Sequence, residues 1–495
     1  WASLINRNPI VLIGGDLLLC CLLFWAMFLP LAARYSVDAA LSTTPPPHDN
    51  LHVSWASLGI LVQAMSVYFF SAIMKSGHEW FPDFTGVYYA LMLDRHALPF
   101  GHWLLNFPDL LKLLSAYVYF LELLGPLLIF APYFLRPLRL GVMLCLMAMH
   151  IGFLLCLQLG HFPFVSLASL SLFTGSWLWD AAARRRSAKL KSPPRLYYDR
   201  DCGFCLKSCL LLRQLLVIPE LQVSPAQDTP RAKALLEANY SWVLIDCDEQ
   251  AYLKWPAFTM LLRRSVLFGW LSPLLRMGVF AVPGNAAYAF VGRHRSGLGT
   301  LSAALLPMRD TTFEVSRRWY RVAGLFVVLV FVWNLHTIRV LPASSYHAMT
   351  PVFRVLRIDQ LWNMFAPYPL KEDGWWVFPA RLADGSEIDL LHPERNAPDY
   401  SKPANYATEQ ENIRWLTYRG RLWSRQYAAN RRWYGAYLCR QWNADKNGAA
   451  HAKRLMSFQM IYMLERTPPP GEATQVEQVV TWRQDCNGDT PRGTP

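Results

Sequence analysis

Polar and apolar positions along this chain sort into long uninterrupted apolar runs, then a stretch of shorter mixed periods, then one more apolar run and a strand-rich end. About 20 consecutive apolar residues are needed to cross a hydrocarbon core about 30 Å thick. Runs of that kind predict membrane spans at 9–33, 53–74, 108–133, 138–158, 161–181 and 319–341. Segment 81–107 interrupts the series, mixing Trp, Phe and Tyr with Asp83, Asp94, Arg95, His96 and His102, and reads as interfacial or re-entrant. Past the fifth run, residues 195–199 read as a short strand, Cys202 opens an amphipathic helix through Leu216, and Trp242–Asp246 reads as a second strand. The apolar stretch 257–290 is interrupted by Arg263, Arg264 and Arg276, so it is predicted to form packed helices of the same module. Near the end, 376–382 before the Asp384-Gly385 turn, 455–466 and 475–483 read as strands around an Arg- and Trp-rich helical stretch at 409–443.

Composition supports a polytopic membrane protein: of 495 residues 53% are hydrophobic and only 17% charged, which excludes disorder and disfavours a wholly soluble enzyme. No charged n-region with a cleavage site precedes the first run, so no signal peptide is expected. The net charge of +13 is concentrated in the middle, where residues 184–341 hold 22 Lys/Arg against 10 Asp/Glu. A basic segment between spans fits the positive-inside rule better than nucleic-acid binding, and no nucleic-acid partner is expected. Arg136 and Arg139 in one turn, and Arg184, Arg185, Arg186, Lys189 and Lys191 after the fifth span, place those turns in the cytoplasm. The module that follows is then cytoplasmic, bounded by Arg317, Arg318 and Arg321, and the last span exports the C-terminal region. The expected domains are a membrane domain at 1–183, an α/β module at 193–312, a span at 319–341, an exported α+β domain at 342–486 and a disordered tail at 487–495.

Candidate chemistry sits at two places. Cys202 and Cys205 form a Cys-x-x-Cys at a helix start, where the first thiol is activated and the second can resolve a mixed disulfide. Lys207 could favour the thiolate electrostatically. A structural zinc site is the alternative, but zinc needs four ligands and the module has no second such pair, so no metal is expected. Cys20, Cys21, Cys145 and Cys156 lie in apolar runs, while Cys439 and Cys486 share the C-terminal region and could form a bridge outside the cytoplasm. The second place is Lys75 in Lys75-Ser76-Gly77-His78-Glu79-Trp80, at the outer end of the second span. A lysine there is ordinarily a snorkelling anchor; desolvated in a dry pocket it could instead act as a general base. Asp16 and Glu122 lie within spans, where a carboxylate needs a partner or a wet cavity, and His150 and His161 flank a turn on the same side as Lys75.

The run Tyr198-Asp199-x-Asp201-Cys202-x-x-Cys205 resembles the signature of the DCC family of thiol-disulfide oxidoreductases, over about 195–310, and that resemblance implies a thioredoxin-like fold. Residues 1–181 resemble the later part of the HTTM domain shared with vitamin K-dependent gamma-carboxylase. The residues that carry this are Arg7-Asn8-Pro9 with Gly14-Gly15-Asp16, Phe28-Leu29-Pro30 with Ser36-Val37-Asp38, Lys75 with Trp80, His150, and Gly160-x-Phe162-Pro163. Gln360-Leu361-Trp362-x-Met364-Phe365-Ala366-Pro367 is similar to a run that follows the last span in HTTM proteins. The resemblance implies that Lys75 is the base that activates a reduced, vitamin K-like quinone; His78, Trp80, His150, His161, Asp16 and Glu122 are expected around that cofactor. It further implies oxygenation and carboxylation chemistry. The carboxylases' histidine in the segment aligning with Asn6-Arg7-Asn8 is absent, and the first spans of the domain are expected before Trp1.

The fold expected is a polytopic α-helical membrane protein with an inserted thioredoxin-like α/β domain and a C-terminal α+β domain, in a bacterial-type inner membrane. Its partners are membrane lipid, quinone and a protein client. Two other functions compete with the carboxylase-like one: a membrane thiol-disulfide oxidoreductase, and a non-enzymatic scaffold or maturation factor.

Overall fold

The computed structural model describes residues 2–44, 52–187, 192–311, 313–395, 397–444, 453–486 and 492–494. Lys189 and Lys191 of the expected basic run, and 487–491 of the expected tail, lie outside the described residues. In chain order the membrane part supplies helices α1 (Gly14–Ala26), α2 (Trp55–Met74), α3 (Pro108–Leu128), α4 (Leu135–Cys156) and α5 (Phe162–Leu170). The module that follows has strands β1 (Arg195–Tyr198), β2 (Gln222–Pro225), β3 (Val243–Ile245) and β4 (Ala251–Leu253), with helices α6 (Gly203–Leu215), α7 (Lys254–Arg264), α8 (Gly278–Arg293) and α9 (Arg295–Leu305). Helix α10 (Arg317–Thr337) leads to a C-terminal part built from α11 (Ile413–Trp423), α12 (Asn430–Ala444) and strands β5 (Glu372–Val377), β6 (Pro379–Leu382), β7 (Glu387–Asp389), β8 (Leu455–Arg466), β9 (Gln475–Asp485) and β10 (Arg492–Thr494).

Among the described residues, α2, α3, α4 and α10 are long and apolar enough to cross a membrane. They account for the second, third, fourth and sixth expected spans. The first expected span, 9–33, is instead the 13-residue α1, roughly 20 Å long at 1.5 Å per residue and too short to cross. It starts late because Asp16 accepts the Ile13 N–H at 2.8 Å, capping the helix there. Pro30, which lacks a donor, stands just past its end. The fifth, 161–181, is divided between α5 with a short 3-10 turn and a separate helix Ser176–Ser187, with Gly175 at the break. Segment 81–107 holds two short helices, Gly86–Leu91 and Pro99–Leu104.

The chain forms two compact units. One gathers Trp1–Met27, Leu58–Phe173 and Ala323–Pro495. Its membrane core packs Tyr68, Trp80, Val118, Leu146 and Met149 together. A buried amide network crosses this unit: Gln63 and Gln360 exchange hydrogen bonds at 2.6 and 3.2 Å, and the Trp362 indole donates to Gln360 at 2.8 Å. The C-terminal sheet is antiparallel, in order β10-β9-β8-β6-β7 with β5 also on β8, and its apolar face packs on α11 and α12 through Leu422, Tyr434 and Trp482. Residues 492–494 pair with β9 where a structureless tail was expected. The helical stretch 409–443 is broken, because Asn412 caps a fresh start at α11 by accepting the N–H groups of Arg414 and Trp415.

The other unit comprises Phe28–Ser57 and Thr174–Val322. Its sheet runs β2-β1-β3-β4, with β1 and β2 parallel and the β3–β4 hairpin antiparallel. With α6 crossing from β1 to β2 and α7 following β4, this is a thioredoxin-like arrangement. Loop residues between the first two apolar runs belong to it: Thr43 N–H donates to Arg309 O at 3.0 Å and Tyr35 N–H to Gln214 at 3.0 Å. The stretch 257–290 is largely helical as expected, but its last helix, α8, packs on the module along one side, through Gly284 and Tyr288, and leaves much of its remaining surface exposed.

Candidate active site

Helix α2 ends one residue before Lys75, so the lysine leaves the helix on the face already occupied by Tyr68 and Ser71, its neighbours at helical spacing. Lys75 is buried, and its Nζ donates to Ser71 Oγ at 2.6 Å and to the Glu122 carboxylate of α3. The same nitrogen lies 5.0 Å from the centre of the Trp80 ring. Trp80 is held from the far end of the chain: its indole N–H donates to Phe365 O at 2.8 Å, and Gly77 N–H donates to Pro367 O at 2.9 Å. Position 77 requires glycine, since a Cβ there would stand 2.9 Å from that carbonyl oxygen.

These groups line a cavity of about 1800 Å³ within the first unit. Most of its wall is apolar, from Val67, Val118, Met149, Phe153 and Phe162, and its polar points include Lys75, Glu122, Tyr68 and His150, with His96, Arg95, Glu372, Arg466 and Glu477 also in the wall. Tyr68 Oη and His150 Nε2 are 2.8 Å apart, and His150 Nδ1 has no partner among the described residues. Burial pushes the His96 imidazole down to about 3, so it is neutral. The C-terminal part closes one side of the cavity with Thr417, Arg421, Arg425 and Arg431.

Of the residues expected around the cofactor, the structure brings Lys75, Trp80, Glu122 and His150 together and leaves three outside. Asp16 does not line the cavity: Arg414 of α11 forks onto it, with Nη2 to Oδ1 at 2.6 Å, and the carboxylate also caps α1. His161 belongs to that cluster, its Nε2 being 3.2 Å from Asp16 Oδ1. His78 is exposed; its neighbour Glu79 instead pairs with Lys371 at 2.6 Å, and although burial raises the Glu79 carboxyl, the Lys371 hydrogen bond and charge, with a backbone hydrogen bond, together lower it. Sequence reading did not single out Tyr68, Ser71 or His96. The first two were detectable as positions sharing a helix face with Lys75, whereas His96 sits in a turn and carries no such signal.

In the second unit, Cys202 caps α6 and its Sγ accepts the Cys205 N–H at 3.3 Å. Cys202 and Cys205 are joined as a disulfide, both partly exposed. The loop before them is fixed by Asp199, which accepts from Gln227 at 2.9 Å, and by an Arg200–Asp228 pair. Lys207, expected to act on the thiolate, donates to Ser302 O of α9 at 3.0 Å. Behind the pair Cys209 is buried, which pushes its thiol up and leaves it inert. Among the described residues no group of three or more His, Cys, Asp or Glu is gathered to hold a metal.

The paired cysteines at a capped helix start and the buried Lys75 in the wall of an apolar cavity are two distinct candidate centres. Residues 196–300 match the DCC1-like thiol-disulfide oxidoreductase. Residues 16–177 match the HTTM domain. The chain is thus a membrane protein that fuses an HTTM domain to a DCC1-like domain, and the pairing supports a membrane redox function. No curated protein and no solved structure matches the chain.

Proposed function

We propose that the HTTM cavity binds a quinol-type lipid and that Lys75 is the base acting on it. The observation that carries this is the Lys75–Glu122 pair, out of bulk water, beneath the Trp80 face and inside a mainly apolar cavity. The residues fit such a group. Apolar walls suit its ring and chain, and His150 Nδ1 supplies an unpartnered polar atom for an oxygen. A bound quinol would supply two electrons and two weakly acidic hydroxyls. Lys75 accepts a proton at Nζ only after handing its own to an acceptor, and Glu122 is the carboxylate at hydrogen-bond distance. Ser71 keeps the amine oriented while this happens, and Tyr68 fixes the His150 ring. Carboxylation of a client protein would be one use of such a base. A photoreactive naphthoquinone probe with the full chain in nanodiscs tests the site. Labelling confined to peptides around Trp80 and His150, and blocked by excess quinone, supports it; labelling elsewhere removes it.

A second reading, favoured by the Cys202–Cys205 disulfide at a helix start, is thiol-disulfide exchange drawing on membrane quinone. Loss of dithiol oxidation in Cys202→Ser, with quinol turnover at the HTTM cavity retained, would assign the two activities to separate centres. For topology we place the DCC1-like unit in the cytoplasm and the C-terminal part outside it. The basic residues around Arg184 and Arg317 support the first, and the buried Cys439–Cys486 disulfide supports the second.

A further inference from the structure

From Ala251 to Arg309 the chain contains no Asp or Glu, while it holds Lys254, Arg263, Arg264, Arg276, Arg293 and Arg295. Here the DCC1-like unit extends beyond its sheet. A turn at Gly269–Leu271 and a short helix Ser272–Leu275 meet α8 at 95°, and α9 follows. The extension is anchored on its inner side: Ser272 Oγ donates to Thr259 O at 2.7 Å, the Trp255 indole donates to Leu275 O at 3.1 Å, Gly284 packs on the Trp255 ring, where a Cβ would come within 2.3 Å, and Tyr288 Oη lies 3.0 Å from Ser241 Oγ. Outward it presents Trp270, Val279 and Val282, exposed by 73, 77 and 73%, followed by Phe290, Leu301 and Leu305. Exposed apolar residues in a stretch whose only charges are cations mark an interaction surface.

Its chemistry selects the occupant. Helix α8 has 16 residues, roughly 24 Å long at 1.5 Å per residue and short of a bilayer core. Pro283 lies inside it, and Arg276 and Arg293 bracket it. A short apolar helix with arginines at both ends can seat its exposed apolar side at the headgroup boundary while the cations meet lipid phosphates. Two copies of an acid-free basic face would repel, which disfavours self-association. A short linker joins α9 to α10, which opens at Arg317 and is long and apolar enough to cross a membrane.

We propose that the Trp270 turn, α8 and α9 form a lipid-docking face that seats the DCC1-like unit on an anionic membrane surface. Because α9 holds Lys207 through Ser302, and Gly299 lies beside Phe204, docking also keeps Cys202 and Cys205 at that surface. This is independent of the quinol reading.

The test uses the full chain in nanodiscs containing a photoactivatable phosphatidylglycerol, with labelled peptides mapped by mass spectrometry. Peptides of α8 and α9 are expected to label about fivefold or more above the helix Pro230–Asn239 of the same unit, as interfacial burial requires. The double variant Val279→Asp/Val282→Asp should lose that labelling while α10 keeps its own. Arg276→Gln/Arg293→Gln/Arg295→Gln, which spares the apolar face, should abolish the preference for phosphatidylglycerol over phosphatidylcholine probes. Labelling of α8 no higher than that of Pro230–Asn239, equal labelling by both lipids, or α8-to-α8 cross-links between copies would each overturn the proposal.

Discussion

Asp16–Arg414 and Lys75–Glu122 are both ion pairs in the first unit whose carboxylates are withdrawn from water, and they differ in what surrounds them. Asp16 is closed on every side: Arg414 forks onto both oxygens, Ile13 donates its N–H, and His161 stands within 3.2 Å. Such a pair fixes where α11 sits on the start of α1. Lys75–Glu122 has Ser71 beside it and a cavity in front. Desolvation raises the cost of both pairs, but only the open one leaves room for a third party that can exchange a proton. The same contrast recurs in the cysteines. Cys439 and Cys486 are joined in the core of the C-terminal part, whereas Cys202 and Cys205 are partly exposed at a helix start. A polar group's neighbours, more than its identity, separate reactive sites from structural ones here.

Removing members of the closed set should cost stability and leave chemistry alone. Cys439→Ala/Cys486→Ala opens a loop of sequence separation 47 and should destabilise the C-terminal part by about 4 kcal/mol by the loop-entropy relation, read by denaturant unfolding. Arg414→Ala strands the Asp16 carboxylate and should cost about 3 kcal/mol, seen as a lowered melting temperature with quinone binding retained. Asp373, buried against Arg95, sharpens the contrast through pH. Desolvation pushes its carboxyl up to about 6 despite the Arg95 charge. Its folded-state value lies above the unfolded one, so its contribution is complete below about pH 4 and is lost as pH rises through 6, amounting to about 3 kcal/mol. Asp373→Asn should remove that slope from a stability–pH profile. In the open set, Glu122→Gln keeps shape but not charge, and quinol turnover should fall about a hundredfold, or about 2.7 kcal/mol of barrier, together with a lowered melting temperature because Lys75 loses its buried counter-charge.

Much of this architecture was readable from local pattern. The strand, thiol pair and helix at 195–216 follow from period and capping, and four of the six apolar runs are long helices. The strands Gln222–Pro225 and Ala251–Leu253 that complete the sheet were not read from the sequence, so its order was not either. What could not be read is set by contacts far apart in sequence. Nothing local says that Phe365 and Pro367 close over Trp80 and Gly77, or that Arg414 reaches Asp16. For the same reason Asp16 and His161 were expected at the cofactor and lie in a structural cluster instead. The exposed face of α8 was also illegible, because apolar composition alone does not distinguish a helix packed on all sides from one that packs along a single side.

The central claim is that Lys75 exchanges a proton with a quinol held in the HTTM cavity. Naphthoquinol-dependent oxygen uptake by the full chain in nanodiscs, compared between wild type and Lys75→Met with quinone affinity measured in parallel, tests it directly. The account predicts a loss of about a hundredfold or more in rate with affinity changed less than about threefold, as expected for removal of a general base. Equal rates in the two proteins, or a loss explained wholly by weaker binding, would contradict it.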